Sequence, residues 1–158
     1  MKRWLPLAAF AIGLLLAGRP EAGEFQPAQL KGFPRGQLTI ERKAGRDSFR
    51  IWIADTPSRH QQGLMWLKEL PADHGMLFVL DSPREFTIWM KNTYVPLDIL
   101  FVGTDGRIVW IARNAKPLST DLISPGVDVA GVLEILGGEA DRRGIDIGDR
   151  LTWRAEGP

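Results

Sequence analysis

Cysteine is absent from the 158 residues, which excludes disulfides, thiolate metal sites and a Cys nucleophile. Any chemistry falls to carboxylates, Lys, Arg, hydroxyls, thioethers or the two His residues. No G-x-S-x-G elbow, Gly-rich phosphate loop or H-E-x-x-H helix occurs, so serine hydrolase, nucleotide-binding and zincin chemistry lack their motifs. Charge of one sign is also missing: 20 basic residues face 19 acidic ones, a net charge of +1. So small an excess offers no field for a phosphate backbone, and a nucleic-acid partner is not expected.

A hydrophobic run long enough for a transmembrane helix is absent too. The apolar stretch from Trp4 to Ala17, broken by Pro6 and Gly13, follows Lys2 and Arg3. It is shorter than the roughly 20 residues a span requires and has the basic start and short apolar centre of an export signal. Residues 1–22 are therefore read as that signal, with Ala17, Gly18 and Ala22 as alternative break points. The protein is expected to be periplasmic or secreted, and to touch a membrane only through an uncleaved signal. Removing residues 1–22 leaves 17 basic and 18 acidic residues, a net charge of −1.

Residues 23–36, with Pro27, Pro34, Gly32 and Gly36, read as a linker. Residues 37–158 then form one domain, large enough to bury a core without covalent staples. Leu38 and Ile40, then Phe49, Ile51 and Ile53, alternate with other residues as strands do. Asp55-Thr56-Pro57 starts a short helix reaching about Met65, with Asp55 or Thr56 as cap and Pro57 in the first turn. Further strands are expected at 76–80, 86–92, 97–102, 107–112, 127–136 and 151–153, with a turn at 81–84 and a short helix or turn at 137–143. So many strands with so few helices indicate a mostly β domain, a jelly-roll-like β-sandwich or distorted barrel with one or two short helices.

Several ordered blocks support this reading. They are Arg59 with Gly63-Leu64-Met65, Gly75-Met76-Leu77-Phe78, Trp89-Met90-Lys91-Asn92-Thr93, and Pro96-Leu97-Asp98-Ile99 with Phe101. Gly106 with Ile108, Pro117, Val132-Leu133-Glu134, and Gly144-Ile145 with Gly148-Asp149 continue the series. With these blocks the chain resembles the domain-of-unknown-function 192 family (DUF192). It departs from the family at Ile88, where an aromatic residue commonly precedes the Trp, and at Gly103, where an Asp is common. The resemblance implies a compact, mostly β, jelly-roll-like domain that often follows an export signal. It implies no established substrate, cofactor or catalytic residue, so the site has to be argued from chemistry.

Asp98 and Glu134 are carboxylates set inside apolar runs. As a pair they could perform acid–base chemistry; as structural groups Asp98 would pair with Lys91 or Arg59, and Glu134 with another Arg. Arg59, Lys91 and Asn92 could instead grip an anionic or polyhydroxyl ligand. Trp52, Trp66, Trp89 and Trp110 could stack on sugars or fill a core. Met65, Met76 and Met90 with His60 and His74 have the softness copper prefers but no compact ligand spacing, so no metal or cofactor is expected. His60 is expected on an exposed helix face. The resulting reading is an exported module of the cell envelope that binds a small polar ligand, a glycan or a peptide, at Arg59, Lys91, Asn92, Asp98 and Glu134. Two alternatives stand beside it: a hydrolase or lyase acting on an envelope polymer through Asp98 and Glu134, and a non-catalytic interaction protein.

Overall fold

Seven strands in a curled sheet make up most of a computed structural model that describes residues 25–157. The strands are β1 (Arg35–Arg42), β2 (Gly45–Ala54), β3 (His74–Arg84), β4 (Leu97–Val102), β5 (Ile108–Ala115), β6 (Val129–Leu136) and β7 (Arg150–Ala155). Two short helices, α1 (Pro57–Gln62) and α2 (Glu139–Arg143), interrupt them. The expectation of a mostly β domain with one or two short helices holds. The sheet order is β5-β4-β6-β3-β2-β1-β7, and every neighbouring pair is antiparallel except β2 with β3. That parallel pair needs a crossover, and the segment from α1 to residue 73 provides it. The outer strands nearly meet through an isolated bridge between Arg107 and Arg150, so the curl is a half-barrel.

Alternation along the strands divides the core in two. Leu38, Ile40, Ile51, Leu77, Leu100, Leu133 and Leu151 pack on the face to which all seven strands contribute, which is the inside of the curl. Trp52, Met76, Phe78, Ile99, Phe101 and Val132 occupy the other face of the central strands. Leu64, Leu67, Ile88, Met90 and Val95 cover this second face from the connecting segments.

Several expected boundaries change. Part of the segment read as a linker belongs to the domain: a 3-10 turn at Ala28–Leu30 buries Leu30, Phe33 joins the core, and Phe25 meets Trp52 and His74 edge-on. Residues 81–84, expected to turn, instead continue β3. A register irregularity between Val79 and Arg84 accommodates Pro83, which cannot donate to a regular ladder. Residues 86–92 are not a strand of the sheet. They keep the alternation, with Ile88 and Met90 buried, but their backbone pairs with connecting segments and not with the sheet: Ile88 with Ile123, Met90 with Ser119 and Asn92 with Trp66. The segment read as an export signal lies outside the described residues. Among the described residues, no helix is long and apolar enough to cross a membrane.

Candidate functional site

Glu134 sits in the middle of an apolar row. Across the sheet its neighbours are Met76 on β3 and Ile99 on β4, with Trp52 beyond Met76 on β2. Its side chain is 4% exposed, and among the described residues no hydrogen bond or ion pair engages its carboxyl. A buried acid without a partner is unusual, since desolvation strongly disfavours its ionised form. Burial alone pushes the Glu134 carboxyl up to about 8, so at neutral pH it is mostly the neutral acid and can donate a hydrogen bond.

The carboxyl faces a cavity of about 50 Å³ between the sheet, α1 and the segment that follows β3. That volume suits a single small polar group. Thr87, Trp89 and Lys91 line it from the covering segment, and Gln62 and Met65 from the end of α1 and beyond. Lys91 makes no ion pair with Glu134; its ammonium lies over the Trp89 ring, 4.9 Å from the centroid. Trp89 remains 41% exposed. Trp66 and Tyr94 are also exposed and contact each other, with ring centroids 6.3 Å apart.

Backbone bonds hold this cover in place. Trp66 N–H donates to the Asn92 carbonyl (2.7 Å), and both residues have positive φ, 69° and 56°. Left-handed backbone at Trp66 is costly, and such strain tends to collect at functional positions. The side-chain amide of Asn92 is 3.9 Å from the Met65 sulfur. His60 is not on an exposed face: its Nε2 lies 2.9 Å from the Ala54 carbonyl and 3.0 Å from that of Val79, pinning α1 onto β2 and β3. Neutral Nε2–H imidazole satisfies this geometry by donating to the pair of oxygens.

The other expected site residues lie elsewhere. Asp98 pairs across β4 and β6 with Ile135, one step from Glu134, so the two carboxylates point to opposite faces of the sheet and cannot work on one bond. Asp98 is 1% exposed and pairs with neither Lys91 nor Arg59. One oxygen accepts from Asn114 N–H (2.8 Å) and the other from Ala140 N–H (2.8 Å). The first bond satisfies a donor freed by the register irregularity between β4 and β5. The second caps α2, whose own N-cap, Gly138, has no side chain to do so. Arg59 binds Asp55 at 2.5 Å and the Gly32 carbonyl at 3.0 Å, and stacks over Phe33, fastening the N-terminal segment to α1. Only Lys91 and Glu134 of the five expected residues line the cavity, with Asn92 bracing its cover.

Of the soft-metal candidates, His60 and Met65 line the cavity and the other three lie away from it. Met76 and Met90 are buried in the core, and His74 packs against Trp52 and Phe25. Among the described residues no group of three His, Asp or Glu side chains is placed to hold a metal. A second polar cluster escaped the sequence reading. Glu139 accepts from Arg142 and Arg143, Arg143 also reaches Asp47 and the Ala72 carbonyl, and its guanidinium stacks on Phe49 at 4.5 Å. Only the Arg142-Arg143 pair at the end of α2 hinted at it.

No curated protein matches the chain significantly. A crystal structure from Novosphingobium aromaticivorans DSM 12444, of a protein of unknown function, is 36% identical with a TM-score of 0.74, covering 83% of this chain and 100% of that one. Another, from Sinorhizobium meliloti 1021, is described only as a suggested transcription regulator; it is 38% identical with a TM-score of 0.75, covering 77% of this chain and 95% of that one. The family model described as "Uncharacterized ACR" matches residues 39–153, and the chain belongs to that family, DUF192.

Proposed function

We propose that this protein is an exported module of the cell envelope that binds a small polar ligand, the end of a glycan, at the Glu134 cavity. The observation behind this reading is the carboxyl of a buried residue, Glu134, which has no hydrogen-bond partner among the described residues and faces that cavity. A group so costly to bury is accounted for when a ligand supplies the missing hydrogen bonds. The exposed rings of Trp66, Trp89 and Tyr94 support a sugar over a peptide, because flat aromatic faces suit the apolar faces of sugar rings. Export rests on the basic start and apolar run of residues 1–22. The description of the S. meliloti protein as a suggested transcription regulator is not carried over to this chain, since a net charge of +1 offers little general attraction to a nucleic acid.

A catalytic reading has one specific observation in its favour, a carboxyl kept protonated near neutrality, as a general acid must be. Asp98, bonded to two backbone amides on the other face, leaves Glu134 without a partner in such chemistry. The test is thermal unfolding of the full-length chain against oligosaccharides, peptidoglycan fragments and short peptides, with product analysis of each mixture. A ligand at about a hundred times its Kd should add roughly 2.7 kcal/mol. Stabilisation by sugars that Glu134→Ala abolishes is the expected result. Stabilisation by peptides alone would refute the glycan assignment, and product formation would favour catalysis.

A further inference from the structure

The cavity also carries information about which group enters it, an inference that rests on the binding reading above. We propose that the entering group is a carboxylate, so that the ligand is an acidic sugar whose carboxylate is held between the carboxyl of Glu134 and the ammonium of Lys91, with its ring resting outside on Trp89.

Three observations support this. The cavity, at about 50 Å³, admits a carboxylate but not a sugar ring. Among the described residues Lys91 is the one Lys or Arg side chain lining it, and its ammonium lies over the Trp89 ring and not in an ion pair with Glu134. With Glu134 mostly protonated at neutral pH, the lining has a net positive charge, which disfavours cations such as amino sugars. The donors also match. The Thr93 hydroxyl is turned to the Lys91 carbonyl and one N–H of the Gln62 amide to the Gln29 carbonyl, while the lining still offers an acceptor the Glu134 O–H, the Lys91 ammonium, the Thr87 hydroxyl and the amides of Gln61 and Gln62. A carboxylic acid and a carboxylate brought together share one proton, because two adjacent like charges cannot both remain ionised. Affinity should therefore depend on the Glu134 proton.

The other titratable groups facing the cavity are His60 from α1 and Lys91 from the covering segment. The Glu134→Gln variant keeps both, so it isolates the contribution of Glu134. Calorimetric titration of the full-length protein with glucuronate, glucose and dialanine, at pH 6 and pH 9, tests the proposal. Glucuronate should bind at least about tenfold more tightly than glucose at pH 6, an ionic contribution of ordinary size. Its affinity should fall about tenfold by pH 9, as Glu134 loses its proton. Glu134→Gln, whose amide can still donate, should bind glucuronate with this pH dependence removed. Lys91→Met should weaken binding while keeping the pH dependence. Equal affinity for glucose and glucuronate would overturn the carboxylate inference and spare the glycan reading. Dialanine binding in place of glucuronate, with the same pH dependence, would uphold carboxylate recognition and overturn the glycan reading. Failure of all three to bind would overturn both.

Discussion

Glu134→Gln should stabilise this protein at neutral pH, even though it alters a buried residue of the central sheet. The Glu134 carboxyl rises from its ordinary 4.5 to about 8 in the folded protein. Between those values the unfolded chain has released the proton and the folded chain still holds it. The unfolded state therefore binds fewer protons, and stability falls as pH rises through this window. Each pH unit costs about 1.4 kcal/mol, which amounts to about 3 kcal/mol at pH 7 and about 5 kcal/mol above pH 8. Against a total stability of about 5–15 kcal/mol, this loss is large. Glutamine has nearly the same shape and no charge to desolvate, so its variant escapes the loss. Urea unfolding at half-unit intervals from pH 4 to pH 8.5 measures the difference directly. The two proteins should be about equally stable at pH 4, and the variant should lead by about 3 kcal/mol at pH 7. All other ionisable groups are the same in the two proteins and cancel in the comparison. Curves that run parallel to within about 0.5 kcal/mol would show that Glu134 ionises normally and would remove the basis of the cavity argument.

Asp98→Asn should be costly, by about 2–3 kcal/mol in urea unfolding, because an amide nitrogen would face one of the two backbone N–H donors that the carboxylate now satisfies; a loss below about 0.5 kcal/mol would contradict that anchoring role. Arg143→Lys keeps the charge but loses the fork that reaches Glu139, Asp47 and the Ala72 carbonyl, so a loss of about 1–3 kcal/mol in the same assay is expected. Acid should act on Glu139 with the sign opposite to Glu134. Hydrogen bonds from Arg142, and from Arg143 against the effect of burial, hold its carboxyl below the ordinary range. Its contribution is thus present above pH 4.5 and lost as pH falls below it, and Glu139→Gln should flatten the acid limb of the stability profile.

The strands were legible where alternation and local turns decided them. β4 was expected over its observed residues, and β1, β2 and β5 to within a few. Alternation alone misled at residues 86–92, where Ile88 and Met90 do face the core but the backbone partners, Ile123 and Ser119, lie in a loop with no pattern of its own. Glu134 stood out in sequence as a charge among aliphatic residues, and so did Asp98. Their separation onto opposite faces depends on how β4 and β6 register, and two sequentially distant strands do not announce that register. The same holds for Arg59, whose partners, Asp55 and Gly32, come from α1's leading turn and the N-terminal segment.

The pairing of β7 with β1 joins residues more than a hundred positions apart, Leu38 with Trp153 among them. The first strand therefore has one open edge until β7 arrives. Contacts of such long sequence separation slow folding, since the intervening loop must be closed before they are rewarded. A chain built this way completes its sheet only when β7 is free to pair, so β1 waits with an unpaired row of backbone donors and acceptors that its last partner covers.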